Sequence, residues 1–182
     1  MLALQISSMK KFMNQLLAGD AFDIFLLEEA SVSTANTYTI DGRINRDFYS
    51  AEELEAGICP YEFQPWSEAK GLCFHLIKGK HTPLCFKFVL HLKPEKMARL
   101  PVPATGASDN VTAAKAGSAG NTLPDFSQVK ALVLTIRYDG SKAVLTTGTA
   151  YHTFVLSKDI DILWDKAFTA YLAAQDIDFE LL

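Results

Sequence analysis

Apolar residues recur along the chain with two periods, and each change of period marks a change of element. Met1 to Ile6 reads as a short strand ending at Ser7 and Ser8, either of which can cap a helix by accepting from the free amides of its first turn. Met9, Phe12, Met13, Leu16 and Leu17 then fall at i, i+3, i+4, i+7 and i+8, the stripe of an amphipathic helix that Gly19 can stop in a left-handed conformation. Phe22 to Val32, rich in Phe, Ile and Leu, and Thr37 to Ile40, an alternating run of β-formers, predict two antiparallel strands joined through the polar stretch 33–36. Ala51 to Ala56 adds a helical turn, and Pro94 to Leu100 a short helix with proline in its first turn, where a missing amide costs nothing.

Two hairpins are expected. Leu72 to Leu92 holds two apolar runs around Lys78-Gly79-Lys80-His81-Thr82-Pro83, in which glycine frees the backbone and proline ends the loop. Leu132, Leu134, Ile136 and Tyr138 alternate with Val133, Thr135 and Arg137 before Asp139-Gly140, a preferred two-residue turn. Pairing Tyr138 with Ser141 across that turn puts Ile136 opposite Ala143 and Leu134 opposite Leu145. A further run, Tyr151 to Leu156, follows a break at Gly148. Ser157 is then the expected cap of the longest helix, in which Ile160, Leu163, Trp164, Ala167, Phe168, Tyr171 and Leu172 keep the helical period. The tail alternates Ile177, Phe179 and Leu181 with Asp176, Asp178 and Glu180, a pattern that suits an edge strand or an acidic, apolar peptide for a partner's groove.

Strands that are not interleaved one by one with helices point to an α+β fold, an antiparallel β-sheet covered by an N-terminal and a C-terminal amphipathic helix. With 182 residues the chain suits a single domain spanning 1–182. Within it, residues 101–123 are dominated by Ala, Gly, Ser and Thr and carry too little large apolar surface to offset ordering, so a mobile surface loop is expected there, more an insertion than a lid.

Charge is unevenly spread. The net value is −4, yet four basic residues face ten acidic ones in 1–66, seven face two in 67–100, and six face nine in 101–182. Only the middle of the chain is basic, and no global field draws it to nucleic acid. No apolar run approaches the roughly 20 residues of a membrane span, and no secretory leader is visible. Three cysteines, Cys59, Cys73 and Cys85, form no CxxC pair, which suits a reducing, cytoplasmic setting.

Candidate chemistry is sparse. Gly79-Lys80 is followed by His81 where a phosphate loop needs Ser or Thr, and no GxGxxG opens a helix, so no nucleotide cofactor is expected. Cys73, His75, His81, Cys85 and His91 are metal-ligand types, but the hairpin reading divides them between two faces, so no metal is expected. No catalytic signature joins a Ser or Cys to a His. Cys85 lies among Lys78, Lys80, His81 and Lys87, a setting that lowers a thiol pKa. Glu28 and Glu29, adjacent on a strand, are expected to point apart, and Asp161 and Asp165 to form a solvated helix face. The remaining candidate is the basic turn itself: Lys78, Gly79, Lys80 and His81, with Lys87, Lys93, Lys96 and Arg99 nearby in sequence, can attract phosphate or carboxylate.

Phe25 to Tyr49, Leu76 to Phe88 and Ile136 to Leu156 with the helix that follows resemble an uncharacterised bacterial protein family of unknown function, a resemblance that implies no activity and no catalytic residues. The opening strand, amphipathic helix and antiparallel strands are also similar to the first half of a DNA sliding-clamp domain. The closing helix and the acidic first third depart from that pattern, so the likeness implies fold only. The expected function is binding of a partner protein or a small anionic ligand without transforming it. The alternative is an enzyme in which Cys85 or His75 meets a carboxylate in space.

Overall fold

The computed structural model describes residues 1–97, 99–100 and 126–182. Within these residues eight strands form one sheet: β1 (Ala3–Ile6), β2 (Phe25–Ser33), β3 (Thr37–Asp41), β4 (Gln64–Pro65), β5 (Cys85–Leu92), β6 (Val129–Tyr138), β7 (Ala143–Tyr151) and β8 (Phe179–Leu181). They lie in the order β3-β2-β5-β6-β7-β1-β8, with β4 added beside β2, and every pairing among the described residues is antiparallel. Among the described residues five α-helices accompany them: α1 (Met9–Leu17), α2 (Ala51–Glu55), α3 (Trp66–Ile77), α4 (Pro94–Met97) and α5 (Asp159–Ala174). The fold is α+β, as the grouping of strands implied.

Alternation along each strand gives the sheet one apolar face. Register aligns Ile40, Ala30, Phe88, Ile136, Leu145, Leu4 and Leu181 into a row running from β3 to β8. Phe12 and Leu16 of α1, Trp66 and Cys73 of α3, and Trp164, Phe168 and Leu172 of α5 join these strand residues in one buried cluster. Fully burying a side chain of this size contributes about 1.5–3 kcal/mol. On the opposite face stand Lys87, Val89, Val133, Thr135, Val144 and Thr146, all partly exposed.

Several expectations are corrected. Residues 72–77 belong to helix α3 and not to a hairpin strand. The buried positions Trp66, Ala69 and Cys73 recur at i, i+3 and i+7, a helical spacing whose second and third members are small and which the apolar run Leu72 to Ile77 masks. The face assignment that put Cys73 and His75 beside Phe86 and Phe88 falls with that hairpin. In the second hairpin Tyr138 pairs with Ala143, so Ile136 faces Leu145 and Leu134 faces Thr147. The Asp139 carboxylate accepts from the Ser141 and Lys142 amides at 2.9 and 3.0 Å, which makes Asp139 the first corner residue and moves Gly140, at φ +95°, to the first central position. The slip is two residues in the partner strand, so every side chain keeps its expected face.

Strand β7 runs through Gly148 to Tyr151, and residues 152–158 form no strand. Ser8 holds the N-cap position of α1 without a side-chain cap bond, and α1 stops at Ala18 with φ −114°, so no left-handed residue ends it. Ser157 lies one residue before the N-cap of α5, and its hydroxyl accepts from the Asp159 amide at 3.2 Å. The tail enters the sheet as edge strand β8, the first of its two expected readings. The loop expected over 101–123 lies outside the described residues.

Candidate functional site

The basic segment Lys78 to His81 is the return from helix α3 to strand β5. Helix α3 ends where the Lys78 amide donates to the Phe74 carbonyl at 2.8 Å, and the chain rejoins the sheet where the Leu84 amide donates to the Ser33 carbonyl at 2.8 Å. Between these anchors Pro83 is buried, while Lys78, Gly79, Lys80 and His81 are exposed. The Lys78 ammonium lies 5.3 Å from the Phe74 ring centroid, a cation–π contact. Gly79 is not required by space or backbone: its φ is not positive, and a Cβ there would come no nearer than 3.7 Å to the His81 carbonyl.

This segment forms one wall of a groove of about 380 Å³, within the range of small-ligand clefts. The other wall is the start of α1, with Met9, Lys10 and Met13, and the floor includes Phe86 of β5 and Tyr138 of β6. Four basic side chains, Lys10, Lys78, Lys80 and His81, therefore surround an apolar surface, and no carboxylate lines it among the described residues. The first turn of α1 carries no acidic residue and no side-chain cap, so its amide end adds positive potential. The Tyr138 hydroxyl is held by donation to the Gly140 carbonyl at 2.8 Å. The sequence marked the basic wall by composition. Met9 and Met13 counted only as core stripe, and nothing local to Tyr138 signalled that it would meet α1.

The other basic residues near this segment in sequence go elsewhere. Lys87 pairs with Glu29 at 3.1 Å on the open sheet face. Lys93 lies 5.7 Å from the Tyr61 ring centroid. Lys96 and Arg99 line a separate cleft against Ile24, Phe25, Leu92 and the α5 residues Trp164 and Phe168.

Residues 15–180 match the profile of DUF5721, described as a family of unknown function. The chain belongs to the DUF5721 family. Comparison with curated proteins and with solved structures returns no match, so the clamp likeness gains no structural neighbour. The DUF5721 match includes the 78–83 wall, Phe86 and Tyr138, and begins just after Met13.

The remaining titratable residues of this DUF5721 chain are dispersed. Cys73 is buried on α3, and burial pushes its thiol up to about 11, which keeps it neutral at ordinary pH. His75 Nδ1 bonds the Gly71 carbonyl at 2.6 Å, and Cys85 is exposed at the start of β5. Neither is bonded to a carboxylate among the described residues. No group of three His, Cys, Asp or Glu side chains that could hold a metal forms there either.

The structure does join His91 and Glu28, Nε2 to Oε2 at 2.6 Å, with the Phe63 ring edge-on to the imidazole at 4.8 Å. Leu26 pairs with His91, so regular alternation already sets Glu28 on the same face, and a β-bulge follows between Leu27 and Glu29 in β2. The bulge brings Glu29 to that face as well, where it meets Lys87, so the two glutamates share the open face instead of pointing apart. Asp161 and Asp165 are likewise engaged: Tyr151 donates to Asp161 at 3.3 Å, and Asp165, 22% exposed, meets the Met1 ammonium at 3.0 Å and the Thr147 hydroxyl. They are structural contacts and not a solvated helix face.

Proposed function

We propose that this chain binds, without transforming it, a small anionic ligand with an apolar body in the groove between α1 and residues 78–83. The observation that carries this reading is the pairing of four basic side chains with an apolar floor and no lining carboxylate. A carboxylate or phosphate would meet Lys10, Lys78, Lys80 and His81, and an aliphatic or aromatic body would lie on Met9, Met13, Phe86 and Tyr138. The thioethers suit this, because methionine adapts to ligands of different outline. The partner-peptide alternative loses support, since the acidic, apolar tail that suggested it is built into the sheet as β8. We place the protein in the cytoplasm, a setting supported by free cysteines, one of them exposed.

Calorimetric titration with octyl phosphate, octanoate and inorganic phosphate tests the proposal. Octyl phosphate should bind most tightly and weaken with salt, and the Lys78→Ala, Lys80→Ala double variant should lose about tenfold or more in affinity. Equal, weak binding of octyl phosphate by both proteins ends the idea. A preference for octyl phosphate that survives the double substitution would move the site elsewhere.

A further inference from the structure

The two borders of the sheet are protected unequally. Strand β8 is three residues long, carries the exposed Glu180, and follows Asp178, which lies 3.8 Å from Lys11. Short length and charge are the usual means by which an edge avoids pairing with another chain. Strand β3 is longer and carries its one charge, Asp41, at its end: Thr37-Tyr38-Thr39-Ile40-Asp41 contains no lysine or proline, its pairing with β2 is free of bulges, and four of its five residues are exposed.

Backbone direction along β3 follows from two hydrogen bonds. The Gly42 amide donates inward to the Glu28 carbonyl at 2.9 Å, and the Ser33 carbonyl, opposite Thr37, accepts from Leu84 on the side away from β3. Alternation therefore turns the amides and carbonyls of Tyr38 and Ile40 toward β2, and those of Thr37, Thr39 and Asp41 outward. Tyr38 and Ile40 pair with Val32 and Ala30, so their side chains continue the apolar face to the border. Phe48, 83% exposed, lines with Tyr49 the cleft that also contains Asp41, and leaves a second aromatic group in water beside this edge.

We propose that β3 is a homodimerisation edge: two copies pair their β3 strands antiparallel about Thr39 and join their sheets into one. The sequence is self-complementary in that register. Thr39 meets Thr39 of the second copy in a hydrogen-bonded pair, and Thr37 meets Asp41, so no like charges are opposed. Tyr38 meets Ile40 in the closer, non-hydrogen-bonded pair, an aromatic on a β-branched residue, and this occurs twice by symmetry. Each apolar row that stops at Ile40 then continues through Tyr38 into the core of the other copy. The strand edge is short, which sets the expected strength in the weak, reversible range.

Sedimentation equilibrium of the full chain over about 10 to 500 μM should show a reversible monomer–dimer equilibrium. Thr39→Lys opposes two ammonium groups at the symmetry axis and should weaken the dimer by at least about tenfold, with thermal unfolding unchanged. A second measurement reads the register and does not depend on that variant folding. In a Cys85→Ser background, a chain carrying Tyr38→Cys mixed with one carrying Ile40→Cys should form a disulfide-linked heterodimer on mild oxidation. Opposed residues in a non-hydrogen-bonded pair are about 4.5 Å apart at Cα, within disulfide range. A protein that stays monomeric throughout, a dimer indifferent to Thr39→Lys, or crosslinking of either cysteine variant alone in preference to the mixture would each overturn the proposal.

Discussion

The indole of Trp66 donates to the main-chain carbonyl of Leu16 at 2.9 Å, tying the first residue of α3 to the last turn of α1. That carbonyl lies among the C-terminal groups a helix cannot satisfy internally, so a side chain from a distant element completes it inside the core. Trp66→Phe keeps most of the apolar contact and removes the donor. The expected loss is about 2 kcal/mol, from an unpaired buried carbonyl and a small void, measured as a lower urea midpoint with unchanged slope.

Gly42 approaches β2 so closely that a Cβ would lie 1.9 Å from the Leu27 carbonyl oxygen. Rotamer changes cannot relieve a clash with backbone, so Gly42→Ala must push β2 and the 42–43 segment apart just where the bulge begins. A destabilisation of about 3 kcal/mol is expected. The Glu28–His91 contact should loosen with it, visible as a change in the His91 ring resonances.

The Asp139 carboxyl is held down to about 2 by the Lys142 amide first, then by the Ser141 hydroxyl and amide. Its ordinary value is 3.8, so the folded state favours the carboxylate. The stability this group supplies is fully present above about pH 4 and is lost as pH falls toward 2. Wild type and Asp139→Ala should therefore differ by a constant amount at neutral pH and converge between pH 4 and 2 in denaturant titrations.

Thiol reactivity should separate the cysteines by position. Cys85 is exposed, while Cys59 and Cys73 are buried and the Cys73 thiol is pushed up to about 11. Iodoacetamide at pH 7.5 should modify Cys85 in the native protein and all three after unfolding, as mapped by mass spectrometry. Native-state labelling of Cys73 at the rate of Cys85 would contradict the packing of α3 against the sheet.

Elements whose apolar residues keep one period over their whole length were legible in the sequence. The stripe from Met9 to Leu17, the alternation from Leu132 to Tyr138, the helical spacing from Ile160 to Leu172 and the alternating tail all became the elements expected of them. Helix α3 was not legible, because its inward positions Ala69 and Cys73 are small and its outward Leu72, 55% exposed, is large. Burial there follows from the neighbouring α1 and β2, which the local pattern does not contain. The hairpin at 139–142 shows a finer limit. Asp-Gly fits two adjacent placements in a turn, and the bonds from Ser141 and Lys142 to the Asp139 carboxylate select between them.

The candidate site divides in the same way. Its basic 78–83 wall is contiguous, so composition reveals it; its apolar lining brings Met9, Phe86 and Tyr138 together from three parts of the chain. Glu28 and Glu29 share one face only through a bulge, an insertion of one residue into a ladder that strict alternation does not anticipate.

Strand β1 sits between β7 and β8, with Leu4 opposite both Leu145 and Leu181. Both neighbours are distant from it in sequence, so β1 has nothing to pair with until β7 and β8 have come back to it. Its hydrophobic side must wait, shielded by α1 or by a chaperone, while the middle strands assemble. Closure of that seam is a late, long-range event of the kind that slows folding, and substitutions at Leu4 should alter how fast the molecule comes apart more than how fast it comes together.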